Sequence, residues 1–188
     1  MKYLLILTLL IVTGLSAQQQ VIKYPGYTSY WNPKTMIPDS VLYVAEPHAK
    51  VAARSANFHA TGGRLNMNAD YAHSGYDQGH LCNASDENGS VSDEFNSFDQ
   101  CNIYPQKPNC NRITWLALET YVRVLATKYK HVAVKVYWHG TAGYMGKDKV
   151  TIPAYCDKEI WYNGIREKYS MPNVDTVNRH PYTYYIVP

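Results

Sequence analysis

The sequence has little excess charge, few cysteines and no apolar run long enough to cross a bilayer. Its 18 basic and 15 acidic residues leave a net charge of +3, which excludes a protein that holds nucleic acid by a strongly basic surface alone. The longest apolar stretch lies within residues 4–15, shorter than the roughly 20 residues that a spanning helix needs. We therefore expect no membrane insertion. A chain of 188 residues can bury one good core but hardly two, which predicts a single domain.

The first 17 residues have the pattern of an export signal. Lys2 is followed by the apolar run and then by the small residues Ser16 and Ala17, as in a secretory signal peptide. A membrane anchor is the alternative, but the run is too short for it. We expect residues 1–17 to be removed and the mature protein to be secreted or periplasmic. Leu15 is large for the third position before a cut after Ala17, so the sequence leaves the cleavage point open.

All four cysteines lie after this segment, at Cys82, Cys101, Cys110 and Cys156. An oxidising compartment would favour two disulfide bonds, for which three pairings exist. If His80 and Asn111 meet at one site, Cys82 comes near Cys110, which would leave Cys101 for Cys156; this pairing is a hypothesis. The alternative of a structural zinc site is disfavoured because the cysteines lack the closely spaced pairs of such sites.

The distribution of turn residues and of periodic segments predicts an α+β domain. Residues 18–40 are rich in Tyr, Pro and Gly with little periodicity and predict an irregular arm before a domain at 41–188. Residues 54–74 and 87–99 predict loops. Apolar residues at helical spacing predict a helix over 112–129, with Asn111 as its N-cap. The segments that predict strands of an antiparallel sheet are 41–44, 132–138, 149–155, 159–162 and 182–187.

Three polar side chains in the central third of the chain could support hydrolytic chemistry. His80 follows a glycine, and an imidazole with an ordinary pKa near 6.5 can take a proton from water. The amide oxygen of Asn111 can ligate Mg²⁺, and Glu119 falls on a neighbouring part of the same helix face. Each residue also has a simpler interpretation. His80 could be a packing histidine, Asn111 a helix cap, and Glu119 the partner of Arg123 in a salt bridge.

Three segments together resemble, in order and spacing, the DNA/RNA non-specific endonuclease family, the Serratia-type nucleases with a ββα-metal core. The family pattern Asp-Arg-Gly-His corresponds to residues 77–80, Asp-Gln-Gly-His. Asn-x-x-Pro-Gln corresponds to residues 102–106. Asn-x-x-x-Trp-x-x-Leu-Glu, with an Arg one turn later, corresponds to residues 111–123. The resemblance covers roughly residues 54–158 and implies a single α+β domain with a ββα-metal finger core on a mainly antiparallel sheet.

The resemblance also implies roles for individual residues. His80 would be the general base that activates water, and Asn111 would be the only direct protein ligand of Mg²⁺, for which Mn²⁺ could substitute. Glu119 would hold a metal-bound water. Other implied catalytic residues position the metal or offset phosphate charge; they are Asn102, Arg123 and Arg54. The implied substrate-binding residues are Asp77, Gln78 and Gln106.

The function implied is Mg²⁺-dependent hydrolysis of DNA and RNA with little sequence preference, giving 5′-phosphate ends, by a monomer or homodimer. Little preference is expected because contacts to phosphate and sugar carry no base sequence. One departure from the family lies next to the base, where Gln78 replaces the usual Arg and removes a positive charge. Cys82 and Asn83 also replace the Ala-Pro that often follows the histidine.

Two alternatives to an active nuclease stay open on the sequence. One is a catalytically weak or inactive nucleic-acid-binding protein on the same fold, in which Gln78 marks lost turnover. The other is an unrelated, disulfide-bonded interaction module, which would require no proximity between His80 and Asn111. The presence of His80, Asn111 and Glu119 argues against the first alternative, and a structure decides the second.

Overall fold

Hydrogen-bonded strands dominate the computed structural model, which describes residues 18–47, 57–86 and 89–188. The strands are β1 (Gln20–Lys23), β2 (Tyr27–Asn32), β3 (Ile37–Ala45), β4 (Asp77–His80), β5 (Ile103–Gln106), β6 (Val132–Met145), β7 (Val150–Tyr162), β8 (Ile165–Pro172) and β9 (Ile186–Val187). The helices are α1 (Asn68–Tyr71), α2 (Val91–Ser97) and α3 (Leu116–Tyr129). A π-helical turn, Cys110–Trp115, leads directly into α3, and short 3₁₀ turns occupy Gln100–Asn102, Asp175–Arg179 and Tyr182–Tyr185.

Seven strands form one antiparallel sheet in the order β1-β2-β3-β6-β7-β8-β9, while β4 and β5 form a separate antiparallel pair. Helix α3 packs on one face of the large sheet, against β6 and β7. Its buried residues Leu118, Val122 and Leu125 join the inward valines of β6 in one hydrophobic cluster. This arrangement confirms the predicted α+β fold with a mainly antiparallel sheet.

The small β4–β5 sheet is attached to the large sheet through side chains. The hydroxyl of Ser29 in β2 donates to the carbonyl of Cys101 at 2.5 Å. The amide nitrogen of Asn173, just after β8, donates to the carbonyl of Pro105 at 2.9 Å. The amide oxygen of the same residue accepts from the backbone of Lys107 at 2.7 Å. These hydrogen bonds, together with the buried side chains of Ile103 and Tyr104, place the residues of β4 and β5 over the large sheet.

The prediction of an irregular arm over residues 18–40 was wrong. These residues form β1, β2 and the first part of β3, so the predicted boundary between 40 and 41 falls inside a strand. In β2 the buried positions are Tyr27, Ser29 and Trp31, and they alternate with half-exposed neighbours. The buried positions of this strand are occupied by serine and large aromatic residues. The prediction relied on alternating aliphatic residues, so it did not detect the two-residue period of the strand.

Other local predictions were corrected in detail. The predicted loop over 87–99 contains α2, whose N-cap Ser90 accepts a hydrogen bond from the backbone N–H of Asp93 at 3.0 Å. The predicted loop over 54–74 contains α1 within its described part. The predicted strands 149–155 and 159–162 are one continuous strand, β7; β8 was missed; and residues 182–187 are mainly a 3₁₀ turn. Strand 41–44 lies in β3 and strand 132–138 in β6, as predicted.

Two predictions fall on residues that the structure does not describe. The proposed signal peptide, residues 1–17, and the proposed catalytic residue Arg54 both lie outside the described ranges. Within those ranges, no helix is both long enough and apolar enough to cross a membrane.

Candidate active site

Strands β4 and β5 hold His80 at the end of a short ladder. His80 lies opposite Ile103, and Gln78 lies opposite Pro105. Because side chains alternate along a strand, Gln78 and His80 project from one face of β4, and Asp77 and Gly79 belong to the other. The half-buried His80 ring packs edge-on against Phe98, with ring centroids 4.9 Å apart, and lies 5.4 Å from Phe58. These contacts hold the imidazole in a defined orientation, as a general base requires.

The glycine before His80 is needed for close packing between the two strands. A Cβ atom at Gly79 would collide with the side-chain amide of Gln106. Gln106 itself is fully buried, and its amide nitrogen points to the sulfur of Cys110 at 3.9 Å. The sequence predicted that Gln106 contacts substrate; the structure instead places it inside the protein, where it supports Gly79 and the turn that follows.

Asn111 is held in an orientation that suits a metal ligand. Its amide nitrogen donates to the carboxylate of Asp77 at 3.0 Å. Arg112 also donates twice to Asp77, at 2.8 and 2.6 Å, so this carboxylate is fixed from two sides. An ionised carboxylate only accepts hydrogen bonds, so the nitrogen of the Asn111 amide must face it. The amide oxygen is therefore directed away from Asp77 and is available to a cation.

Asn111 does not cap the helix as predicted. It lies inside the π-helical turn Cys110–Trp115, and its own side chain bonds to Asp77 rather than to a backbone N–H at a helix start. A π-helical turn widens the backbone locally and is frequent at functional sites. Here the wide turn carries Asn111 next to β4, so the structure brings the segment of His80 and that of Asn111 together.

Glu119 is buried on the first turn of α3, close to a second group of charged residues. Its carboxylate accepts a hydrogen bond from the side chain of Asn83. The pKa of Glu119 is raised to about 7, mainly by burial; the charge of Lys158 lowers this pKa, that of Asp86 raises it, and that of Arg123 lowers it. In the described part of the chain, Arg123 forms its ion pair with Asp86, at 3.4 Å. The alternative of a Glu119–Arg123 salt bridge is therefore wrong.

Lys158 is a buried cation that the sequence analysis did not predict. It is fully buried on β7, and its ammonium lies 4.5 Å from the centroid of the Trp115 ring. The ammonium has no hydrogen-bond partner within the described ranges. Burial lowers the pKa of Lys158, whereas the charges of Glu119 and Asp86 raise it. The sequence predicted two strands with a gap at residues 156–158. A single strand through this gap would have placed Lys158 on the same face as the buried Ile160.

Two further proposed site residues are held inside or at the edge of the protein. Asn102 is fully buried; its oxygen accepts from the backbone of Cys82 at 2.8 Å, and its nitrogen donates to the carbonyls of Cys82 and Ser97, each at 2.8 Å. These bonds use the amide, so Asn102 fixes the chain just after His80 rather than contacting a metal or phosphate. Gln78 is half-buried, and its side-chain oxygen has no hydrogen-bond partner among the described residues.

The residues present fit a hard divalent cation that keeps most of its water. Within the described residues, no group of three or more His, Cys, Asp and Glu side chains could hold a metal ion. Mg²⁺ commonly binds through one or two protein oxygens and retains several waters. The amide oxygen of Asn111 is such a ligand, and the carboxylate of Glu119, which bonds to Asn83, is of the type that accepts hydrogen bonds from water.

We expect Lys158→Met to lower the cleavage rate by about 10- to 100-fold. This is the usual effect of removing a residue that does not bind the metal itself but orients residues of the metal site. Without the ammonium, Glu119 and Asp86 lose the cation that favours their ionised forms. The test is the cleavage rate as a function of Mg²⁺ concentration. Lys135→Met is the control, because Lys135 is only half-buried and alternates with the buried valines of β6. Equal rates for the two variants would contradict a role for Lys158.

Comparisons with known proteins show the family to which the chain belongs. The model of the DNA/RNA non-specific endonuclease family matches residues 9–188. A nuclease from Nostoc sp. is 37% identical over 91 residues, which cover 48% of this chain and 32% of that protein. Mitochondrial endonuclease G from Bos taurus is 26% identical over 202 residues, which cover 93% of this chain and 67% of that protein. The chain thus spans about a third of the first relative's length and two thirds of the second's.

A solved structure of EndoG in complex with EndoGI has the same fold. It superposes with a TM-score of 0.80 at 24% sequence identity and covers 89% of this chain and 80% of that chain. Nearly nine tenths of the chain is included in this similarity of fold.

Proposed function

Because the chain belongs to the DNA/RNA non-specific endonuclease family, we propose that it is an exported, Mg²⁺-dependent enzyme. Nuclease activity follows from family membership. The proposal adds that both DNA and RNA are hydrolysed with little sequence preference, that the products carry 5′-phosphates, and that the protein acts outside the cytoplasm. It also adds that Mn²⁺ can substitute for Mg²⁺ and that the enzyme works as a monomer or homodimer.

The observation that carries the proposal is the orientation of Asn111 by Asp77. The 3.0 Å hydrogen bond directs the amide nitrogen to Asp77 and the amide oxygen outward. His80 lies three residues after Asp77 on the same strand, so one short element positions both the ligand and the base. This arrangement supports metal-assisted hydrolysis, in which a cation and a base act on one phosphodiester.

In the proposed reaction, His80 takes a proton from the attacking water, since its ring is held by Phe98 and Phe58. Glu119 accepts hydrogen bonds from water at the site. Arg123, whose side chain is one third exposed, offsets charge on the phosphate oxygens. A bound Mg²⁺ ion would supply charge stabilisation for the departing 3′ oxygen.

The small net charge of the chain is compatible with this substrate class. A net charge of +3 provides little general attraction to nucleic acid, so binding depends on contacts around the scissile phosphate. Contacts to phosphate and sugar carry no sequence information. Weak sequence preference and acceptance of both nucleic acids follow from this mode of binding.

Removal of the metal tests the proposal directly. We expect the purified protein to nick supercoiled plasmid and to degrade an RNA transcript with Mg²⁺ or Mn²⁺, and to lose both activities in excess EDTA. Adding Mg²⁺ in excess over EDTA should restore them. A DNA ligase should rejoin nicked products without prior phosphorylation, since the ends are 5′-phosphates. Cleavage that persists at full rate in EDTA would overturn the metal requirement.

The second candidate is a catalytically weak nucleic-acid-binding protein, favoured by one observation. Gln78 replaces a charged residue, and its side-chain oxygen lacks a hydrogen-bond partner among the described residues. If this reading holds, the wild type binds DNA with measurable affinity but does not cut it under several divalent metals.

We expect Gln78→Arg to raise cleavage at subsaturating substrate by about tenfold, since a charge-assisted hydrogen bond to phosphate is worth about 1.5 kcal/mol or more. One added phosphate contact should also increase the salt dependence of binding by about one unit of slope. Rates measured from 50 to 200 mM salt test both effects, with Gln78→Ala as the uncharged control. An unchanged rate and salt slope would show that position 78 does not face the phosphate.

A further inference from the structure

Two buried cysteines from distant parts of the chain lie side by side beneath the site. Cys110 and Cys156 are both fully buried. Both are free thiols in the structure, they lie in the same core cluster, and the Cys156 thiol interacts with that of Cys110. The amide of Gln106 lies beside both sulfurs, at 3.9 Å from that of Cys110. The side chain that crowds Gly79 therefore also covers the cysteine pair.

The remaining geometry argues against the pairing suggested by the sequence. Cys101, which that hypothesis assigned to Cys156, lies 3.7 Å from the hydroxyl of Tyr27 instead. Its backbone N–H donates to Asp99 at 2.8 Å, within a separate group that includes Arg64. Cys156 has Cys110 rather than Cys101 as its sulfur neighbour, so the predicted Cys101–Cys156 bond does not match the fold.

We propose that Cys110 and Cys156 form a disulfide bond that fastens the turn carrying Asn111 to the middle of β7. Cys110 begins the π-helical turn directly before Asn111, and Cys156 is two residues before Lys158. A bond between them would join the segment of the metal ligand to the strand that supplies the buried ammonium. The assignment concerns cysteine chemistry and does not depend on the proposed nuclease reaction.

The chemistry is thiol–disulfide exchange with a small disulfide such as oxidised glutathione. One cysteine thiolate attacks a glutathione sulfur, forms a mixed disulfide and releases a glutathione thiolate. The second cysteine thiolate then displaces the other glutathione. The two cysteines lose two electrons and two protons in total, and one oxidised glutathione becomes two reduced molecules.

Burial determines when this exchange can occur. Burial raises the pKa of the Cys156 thiol well above its ordinary value, so the folded protein holds little thiolate there, and a small disulfide has no open path to either sulfur. The bond therefore forms while the chain folds, and once formed it is protected from reductants. Refolding, rather than incubation of the folded protein, is the step at which the redox buffer should act.

The experiment is refolding of the full chain in reduced or in oxidised glutathione buffer, followed by alkylation of remaining thiols and peptide mapping without reduction. Pro108 after Lys107 blocks tryptic cleavage, so trypsin leaves Cys82, Cys101 and Cys110 in one peptide. A second digestion with thermolysin, which can cut before Ile103, separates Cys101 from Cys110. We expect a linked peptide pair that contains Cys110 and Cys156 in the oxidised sample only.

The stability of the two samples gives a second readout. We expect the oxidised protein to unfold about 10 °C higher than the reduced protein, because the bond closes a long loop. Cys110→Ser/Cys156→Ser should abolish most of this difference, while Cys101→Ser should leave the linked pair intact. Should the double variant fail to fold, the peptide map of the wild type still decides. Alkylation of both Cys110 and Cys156 after oxidative refolding, or a link from either to Cys82 or Cys101, would overturn the proposal.

Discussion

Replacing His80 with alanine is expected to lower the rate of phosphodiester cleavage by about 10²- to 10⁴-fold, the usual contribution of a positioned general base. The neighbouring rings of Phe58 and Phe98 hold the imidazole from two sides. Alanine leaves this place without any group that can accept a proton. Solvent water is a poor substitute because it is a much weaker base and is not positioned.

The measurement is plasmid cleavage under single-turnover conditions at saturating Mg²⁺, so that the chemical step limits the rate. DNA affinity and the Mg²⁺ concentration for half-maximal activity should change little, since His80 is not a proposed ligand. His180→Ala is a suitable control because this exposed histidine stacks on Tyr184, in the region of the last 3₁₀ turns. A His80→Ala protein that cleaves within a factor of three of the control would refute the role of His80 as base.

Asn111→Ala is expected to reduce cleavage at low Mg²⁺ by about 100-fold or more, a loss at least as large as that for groups that merely support metal ligands. The variant removes the amide oxygen that faces away from Asp77 and is the proposed metal ligand. It also leaves Asp77 with Arg112 as a partner, so the local structure should persist. Part of the lost activity should return at high Mg²⁺, because mass action offsets weaker binding.

Mg²⁺ titrations of cleavage, with Mn²⁺ as a second ion, measure this effect. Asn109→Ala is a matched control, because this asparagine is two residues earlier and its side chain bonds to the backbone of Asp175 rather than to the site. Asp77→Asn provides a finer comparison, since a neutral amide at position 77 no longer selects one orientation of the Asn111 amide. If Asn111→Ala titrates like Asn109→Ala, the metal does not bind at Asn111.

The sequence could predict those parts of the site that depend on residue type and on the order of the motifs along the chain. His80, Asn111 and Glu119 stand in recognisable segments, and the structure brings the segments of His80 and Asn111 into contact through Asp77. The prediction did not include the mechanism of that contact. It assumed a regular helix with Asn111 as its cap, whereas a π-helical turn sets the direction of the side chain. Sequence period alone does not distinguish these backbones.

Burial was the property that sequence could not assign to polar residues. The resemblance implied that Asn102 helps to position the metal or the phosphate and that Gln106 contacts substrate, but both are fully buried and bond within the protein. Lys158 was overlooked for the opposite reason, since a lysine in a strand is normally taken to face solvent. In each case the deciding fact is the set of tertiary neighbours, which lie far away along the chain.

The same limit explains the errors in the fold. The first strands contain Tyr, Trp and Ser in buried positions, and their inward direction is fixed by pairing with β3, which in turn pairs with β6. The polar composition of residues 87–99 predicted a loop where helix α2 forms. The N-cap residue Ser90 is the local sequence signal for this helix. Strand β8 begins just after Gly164 and carries Arg, Glu and Lys, a composition that does not predict a strand. It is a strand because it pairs along its length with β7.

The attachment of the β4–β5 pair by side chains has a consequence for the cooperativity of unfolding. A continuous backbone ladder propagates order from strand to strand, whereas bonds such as those of Ser29 and Asn173 can break one at a time. The pair that carries His80 is joined to the seven-stranded sheet by such bonds and by buried side chains such as Tyr104, and the two sheets share no backbone ladder. A small shift of the pair therefore need not change the register of the strands in the large sheet.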